Sequence, residues 1–330
     1  LNWSLYDYDR DTNPELSKIE GVTSFCHVLT ESNTTHKSVP MLLSPVSAQN
    51  FDSIYYRKSI ITAFKEAGFQ TAFFSNQRYN HSFIDFFGME ADTYDFIKED
   101  SQDSQYNPSD DELLMLVEKE LEKGNRKQFI VLHTYGSHFN YRERYPETAA
   151  FFLPDFPVDA EVKYKDNLMN AYDNSIRYTD NFLARIIHLL KQQQVDASML
   201  YTSDHGEDIF DDGRHLFLHA SPVPSYYQLH VPLLLWTSDS YREEYPGIEK
   251  AASMNRQKNI SSSISFFQTM MELAGIETPY RNDSLSVTSP LYTEKSRVYL
   301  NDHNEPHSLD DIGMRKEDFE MLKKRGIDAQ

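Results

Sequence analysis

The chain has 330 residues, of which 39% are hydrophobic, and its 21 Tyr and 21 Phe residues can fill the core of one large α/β domain or two smaller ones. Its net charge of −19 argues against binding to nucleic acid and against electrostatic docking on anionic lipid. No segment approaches the roughly 18 consecutive apolar residues of a membrane span, and the single cysteine, Cys26, cannot form an internal disulfide.

Helical and strand patterns alternate along the chain. In the first half the predicted elements are a helix over 56–67 that ends at Gly68, a strand over 70–75, a helix from a capping box at 109–112 to Gly124, and a strand over 129–133. In the second half they are a helix over 162–193, strands over 198–203 and 231–236, a helix over 261–274, a strand over 297–300 and a polar helix over 315–325. This order predicts an α/β fold whose mostly parallel sheet carries helices on both faces. We expect one domain over 1–300, with 301–330 as a C-terminal appendage.

Asp204 and His205 directly follow the apolar run at 198–203, and therefore lie at the carboxyl end of a predicted buried strand. Open α/β sheets place their ligand sites at these ends. A carboxylate and an imidazole side by side can both reach one ion, and oxygen with nitrogen ligands suits zinc or manganese. The pair therefore predicts a metal site.

Three further polar clusters, at 33–40, 133–138 and 215–219, also fall at or just beyond predicted strands. Thr35 is a nucleophile only if a base or a metal lowers the pKa of its hydroxyl, which an ion on Asp204 and His205 could do. His138 and His219 could add nitrogen ligands or protonate a leaving group. Glu207 is a further candidate, which would complete a metal shell or orient His205. His133 is also a candidate site residue. Asn76 and Gln77 either touch a phosphoryl group or lie in a surface loop.

These motifs together resemble the membrane-anchored phosphoethanolamine transferases that modify lipid A, within the alkaline phosphatase and sulfatase superfamily. The resemblance covers roughly residues 1–275 and is carried by the segments 8–16, 34–40, 133–138, 170–175, 203–207 and 218–219. It implies a three-layer sandwich fold, a nucleophile at Thr35 and a Zn²⁺ ion, with Mn²⁺ or another divalent ion as alternatives.

The chain also departs from the family pattern at three places. The family takes a metal-binding Glu from its first strand, which would precede Leu1. The family's flanking cysteines are replaced by Glu31 and Met41, and the alanine after the nucleophile is replaced by His36.

Other members of the superfamily remain as alternatives. A sulfatase of the usual kind needs Cys or Ser in a Cys/Ser-x-Pro-x-Arg setting, and Cys26 has neither the Pro nor the Arg. A phosphoglycerol transferase would use the same threonine nucleophile and metal ion. A non-catalytic scaffold would bind a partner without metal. We favour transfer of phosphoethanolamine from phosphatidylethanolamine to lipid A or a glycan, through a covalent intermediate on Thr35.

The resemblance also predicts where the protein acts. We expect a monomer that is attached to the inner membrane by helices before Leu1, with its catalytic domain in the periplasm or outside the cell. No nucleic-acid partner is expected.

Overall fold

The computed structural model describes residues 1–98, 107–124 and 127–330. The strands in these ranges are β1 (Val22–Ser24), β2 (His27–Leu29), β3 (Gln70–Ser75), β4 (Thr93–Phe96), β5 (Gln128–His133), β6 (Ser198–Thr202), β7 (Asp208–Ile209), β8 (Phe217–Leu218), β9 (Leu233–Thr237), β10 (Asn259–Ser261), β11 (Tyr299–Leu300) and β12 (Pro306–His307). The α-helices are α1 (Thr35–Leu42), α2 (Ile60–Glu66), α3 (Phe83–Gly88), α4 (Asp111–Glu122), α5 (Lys165–Gln192), α6 (Tyr226–Leu229), α7 (Asp239–Glu244), α8 (Pro246–Asn255), α9 (Ser262–Leu273) and α10 (Lys316–Lys324).

Helix α2 begins later than the sequence pattern predicted. The Ser59 side chain accepts a hydrogen bond from the Ile61 N–H and caps the helix there, while residues 48–56 form a separate 3₁₀ segment. The predicted end is confirmed, because Gly68 has a φ of +85° that a helix cannot continue through.

Helix α4 has its predicted length, and the hydroxyl of Ser109, the first residue of the predicted capping box, accepts a hydrogen bond from the Asp111 N–H at 3.3 Å. Asp110 is the residue before the helix, and its side chain makes no capping bond. Its carboxylate instead accepts hydrogen bonds from the N–H groups of Tyr135 and Gly136, at 2.8 and 2.9 Å. The start of α4 is thereby tied to the loop that follows β5.

The strands form a mixed sheet system. β3 lies between β4 and β5 and is parallel to both, and β2 is parallel to β10. β9 pairs antiparallel with β1 on one side and with β6 on the other. The predicted α/β class is confirmed, and β9 runs antiparallel to both of the strands beside it.

A cavity of about 1360 Å³ separates β5 from β6. All residues of both strands line it, and within the described residues each strand is paired only on its far side, β5 with β3 and β6 with β9. Helices α5 and α9 contribute apolar side chains to its walls, including Ile176 and Leu273. Thr35, His133, Asp204 and His205 are also part of the lining.

The C-terminal residues pack onto the domain. Leu309, Met314, Leu322 and Ile327 join a buried cluster with Leu29, Tyr226, Leu229 and Tyr299. The buried carboxylate of Asp318 forms a bidentate ion pair with Arg214, with both distances 2.7 Å. The buried cluster holds α10 against α6, and the ion pair holds it against the loop that contains Arg214.

Candidate active site

Thr35 is the first residue of α1 and lies at the mouth of the cavity. The preceding Thr34 is extended, with φ of −135° and ψ of 131°, so the chain turns sharply into the helix at the threonine. The Thr35 Oγ1 atom is 3.1 Å from Nε2 of His205. The side chains that the sequence predicted as nucleophile and ligand are therefore in direct contact.

Asp204 and His205 leave the carboxyl end of β6, as the strand pattern predicted. The Oδ2 atom of Asp204 is 3.4 Å from Nε2 of His205, so both side chains point to the same place as the Thr35 hydroxyl. This oxygen is buried and has no hydrogen-bond partner among the described residues. Burial by itself raises the pKa of Asp204, but the neighbouring His205, Thr35 hydroxyl and His133 outweigh it, and the pKa of Asp204 is lowered.

Gly206 allows this turn to pack closely. Its N–H donates to the Gln228 carbonyl at 2.8 Å, and a Cβ on Gly206 would lie 2.2 Å from the carbonyl oxygen of Tyr227. The Gly of the Asp-His-Gly-Glu sequence is therefore required by space, not by its φ angle.

Three other histidines were predicted as site residues, and one of them, His219, lies directly beside His205. The rings of His205 and His219 are 4.1 Å apart, and those of His138 and His219 are 6.0 Å apart. His133 ends β5, and its Nδ1 is 3.1 Å from the Ser75 hydroxyl. Burial lowers the pKa of His133, so its imidazole is neutral at neutral pH.

Glu207 contacts His219 and not His205. Its Oε1 is 3.1 Å from Nδ1 of His219, and its Oε2 accepts a hydrogen bond from the hydroxyl of Tyr141. Burial alone would lower the pKa of His219, but the hydrogen bond and charge of Glu207 outweigh it and raise the pKa.

Asn76 and Gln77 are held by backbone and loop contacts. The Asn76 amide donates to the Pro108 carbonyl at 3.0 Å and to Asp110 at 2.8 Å, and the Gln77 amide is 3.5 Å from the Thr134 carbonyl. Gln77 lines the cavity. Both residues therefore fix the loops around the site.

Several residues that position the nucleophile were not among the predicted site residues. The Asn33 amide donates to Ser221 and Gln228, at 2.9 and 2.6 Å, and its Oδ1 accepts from the Tyr299 hydroxyl at 2.7 Å. The Thr30 hydroxyl donates to the Asp204 carbonyl at 2.8 Å. These side chains are far apart in sequence, and only the tertiary structure brings them together.

The donor set fits a divalent cation in part. Among residues 1–98, 107–124 and 127–330, no three His, Cys, Asp or Glu side chains are grouped closely enough to hold an ion. Thr35 Oγ1 adds a third donor to Asp204 and His205, and the unpartnered Asp204 oxygen is an acceptor without a protein donor. Oxygen and nitrogen donors of this kind suit zinc.

The profile of the sulfatase family matches residues 1–276. The chain belongs to the sulfatase family. Phosphoethanolamine transferase EptA of Salmonella typhimurium is 29% identical over 307 residues, which are 88% of this chain and 53% of that protein. The putative transferase YhbX of Escherichia coli is 29% identical over 322 residues, which are 96% of this chain and 54% of that protein. The predicted resemblance to phosphoethanolamine transferases is thereby confirmed.

Solved structures agree with the predicted fold. The zinc complex of the C-terminal periplasmic domain of Escherichia coli EptC has a TM-score of 0.84 at 24% identity, covering 94% of this chain and 89% of that one. The soluble domain of lipooligosaccharide phosphoethanolamine transferase A from Neisseria meningitidis has a TM-score of 0.77 at 23% identity, covering 87% of each chain. The alkaline phosphatase/sulfatase-like fold is therefore confirmed.

The chain spans about half the length of the curated relatives that it matches. Within the described residues, no helix has the length and apolar character needed to cross a membrane.

Proposed function

We propose that the protein transfers phosphoethanolamine from phosphatidylethanolamine to a lipid A or glycan acceptor. The observation that carries this proposal is the contact of the Thr35 hydroxyl with His205 and the unpartnered carboxylate oxygen of Asp204. The similarity to proteins named phosphoethanolamine transferase supports phosphoethanolamine as the transferred group.

The first half-reaction places phosphoethanolamine on Thr35. The Thr35 hydroxyl releases its proton to water and its Oγ1 atom forms a bond to phosphorus, while the bond from phosphorus to the diacylglycerol oxygen breaks. The leaving oxygen takes up a proton from His138 or His219; the ring of His219 lies between those of His138 and His205 in this series of contacts.

The second half-reaction returns the enzyme to its starting state. An acceptor oxygen attacks phosphorus and gives its proton to the same histidine, while the Thr35 Oγ1–phosphorus bond breaks and the threonine oxygen takes back a proton from water. Because the donor leaves before the acceptor reacts, we expect ping-pong kinetics.

Thr35, Asp204 and His205 would hold the cation, with Zn²⁺ as the preferred ion and Mn²⁺ as the alternative. When bound, the ion would lower the pKa of the Thr35 hydroxyl and neutralise phosphoryl oxygens. The zinc in the Escherichia coli EptC domain supports this assignment.

The cavity between β5 and β6 supports the expectation of a further ligand from outside residues 1–330. Two strands that face each other across an apolar cavity leave backbone groups without sheet partners, which an extended segment can satisfy. We infer that a segment of the whole protein lies there and carries the expected Glu to the end where Asp204 and His205 are found.

We further propose that the whole protein is attached to the inner membrane with this domain in the periplasm. A structural neighbour from Neisseria meningitidis is described as an integral membrane protein, and another from Escherichia coli as a C-terminal periplasmic domain. A membrane attachment brings the site to its phospholipid donor.

The proposed function is tested by the choice of donor. The full-length protein is incubated with vesicles of phosphatidylethanolamine or phosphatidylglycerol, or with an aryl sulfate, and the release of diacylglycerol or sulfate is measured. We expect diacylglycerol release from phosphatidylethanolamine, and none by the Thr35→Ala variant. Preferred use of phosphatidylglycerol or of the sulfate ester would replace the proposal with one of the two alternative activities.

A further inference from the structure

Glu207 and His219 face each other because of the register of a short hairpin. In this hairpin Asp208 is paired with Leu218, and Ile209 with Phe217. Extending the register by one residue brings Glu207 opposite His219, where cross-strand side chains are within hydrogen-bonding reach. The two residues are 12 positions apart, and only this pairing brings them together.

Both oxygens of the Glu207 carboxylate are engaged. One is 3.1 Å from Nδ1 of His219, and the other accepts from the Tyr141 hydroxyl. Tyr141 is fully buried, and burial together with the nearby carboxylate raises its pKa far above its usual value, so the phenol keeps its proton and is the donor. Each oxygen of Glu207 therefore already has a hydrogen-bonding partner outside the Thr35, Asp204 and His205 group.

Two other histidines of the site, His205 and His138, share the arrangement of His219. Nδ1 of His205 is 3.0 Å from the Gly206 carbonyl oxygen, and Nδ1 of His138 is 2.6 Å from the Phe139 carbonyl oxygen. A carbonyl oxygen accepts only, so Nδ1 carries the proton in both rings. His205 then turns its Nε2 edge to the Thr35 hydroxyl.

The same reasoning assigns a proton to Nδ1 of His219, because a carboxylate also only accepts. Its Nε2 edge is then the one available to the reaction. Tyr141 holds the carboxylate in place, and the ring of Tyr141 is itself packed against Tyr172, with centroids 5.0 Å apart.

We propose that Glu207 and Tyr141 are positioning residues that fix the tautomer and ring orientation of His219. This inference rests on the proposed function for the role of His219 in phosphoryl transfer. His205 is oriented by the Gly206 carbonyl, and not by the Glu207 carboxylate that the sequence suggested.

A conservative substitution at Glu207 separates positioning from packing. In Glu207→Gln, Tyr141 continues to donate to the side-chain oxygen, so the amide NH₂ faces His219 and can only donate. The His219 proton must then move to Nε2. Removing such a supporting contact typically lowers activity by about 10- to 100-fold. We expect kcat to fall by this factor while KM changes by less than about twofold.

The double variant Glu207→Gln with Tyr141→Phe sharpens the test. Without the tyrosine hydroxyl, the amide is free to turn its oxygen to His219, so part of the lost kcat should return. Glu90→Gln serves as the matched control, because Glu90 also accepts several hydrogen bonds, from Ser59 just before α2 and from Thr62 on α2. Its kcat should stay at the wild-type value.

The experiment uses the full-length protein with ¹⁵N-labelled histidine, and the His219 signal is assigned by its loss in His219→Asn. We expect the nitrogen shifts of a protonated Nδ1 in the wild type and of a protonated Nε2 in Glu207→Gln. The same tautomer in both proteins, or an unchanged kcat in Glu207→Gln, would overturn the inference. The tautomer is read without turnover, so a wild-type protein that transfers no phosphoethanolamine contradicts the proposed function alone.

Discussion

Gly206 shows how closely single residues define the proposed metal-binding turn. A methyl group there would overlap the Tyr227 carbonyl, whereas Gly213 in the neighbouring hairpin has nothing within 4 Å of the equivalent position. The two glycines therefore form a matched pair for substitution.

We predict that Gly206→Ala destabilises the protein by about 1–3 kcal/mol, the usual cost of an overpacked site, and reduces transfer because His205 shifts from Thr35. Gly213→Ala should change stability by less than about 0.5 kcal/mol. Thermal denaturation and donor turnover measure both effects. Equal behaviour of the two variants would show that space at Gly206 does not limit the site.

Thr35 and Ser38 are hydroxyl residues on the same helix with different environments. The Ser38 hydroxyl is buried and donates to the Thr34 carbonyl at 2.8 Å, so it is not available as a nucleophile. We predict that Thr35→Ala abolishes transfer with a stability change of about 1 kcal/mol, while Ser38→Ala retains transfer. Initial rates and melting temperatures decide the point, and substantial transfer by Thr35→Ala would exclude this nucleophile.

At the level of elements, β11 and the residue that follows it form hydrogen bonds with residues 31–37, the segment that contains Thr35. The Leu300 N–H donates to the Glu31 carbonyl at 2.8 Å, the Tyr299 hydroxyl donates to Asn33, and the Lys37 ammonium donates to the Asn301 carbonyl at 2.6 Å. Three consecutive residues near the C-terminus thus contact the segment that precedes and begins α1.

We predict that Tyr299→Phe lowers stability by about 1–3 kcal/mol, because it leaves a buried acceptor on Asn33 without its donor, and also lowers kcat. Tyr292→Phe is the control, since its hydroxyl donates to the Asn259 carbonyl at 2.7 Å, away from Thr35. It should lose stability but keep kcat. If both variants lost kcat equally, the effect would be one of stability and not of position.

The sequence could predict the part of the site that lies at the carboxyl ends of strands. Short apolar runs locate β3, β5 and β6, and polar residues directly after them must lie at one edge of a sheet. The contact between Glu207 and His219 was not predicted, because β7 and β8 are two residues each and their pairing depends on the surrounding core. The antiparallel direction of β9 likewise has no signal in its apolar run.

For the molecule as a whole, three buried carboxyl groups contribute to the change of stability with pH. Burial raises the pKa of Glu31 to about 7, and the pKa values of Asp180 and Asp208 to about 6. A group whose pKa is higher in the folded state stabilises the fold at low pH, and this contribution is lost as the pH rises through the folded-state pKa.

We therefore predict a higher melting temperature at pH 5 than at pH 8. For Glu31, a rise from the usual 4.5 to about 7 corresponds to on the order of 3 kcal/mol. Glu31→Gln should raise the melting temperature at pH 8 and reduce its dependence on pH. Calorimetry across this range checks the sign, and a wild-type protein more stable at pH 8 would contradict it.

The most direct test of the whole account is to trap the covalent intermediate. The full-length protein is mixed with phosphatidylethanolamine in the absence of acceptor, quenched in acid, digested and analysed by mass spectrometry. We predict that the peptide containing Thr35 gains the mass of one phosphoethanolamine group, that fragmentation places it on Thr35, and that adding the acceptor removes it. Diacylglycerol release with an unmodified Thr35, or with the group on another residue, would contradict the account.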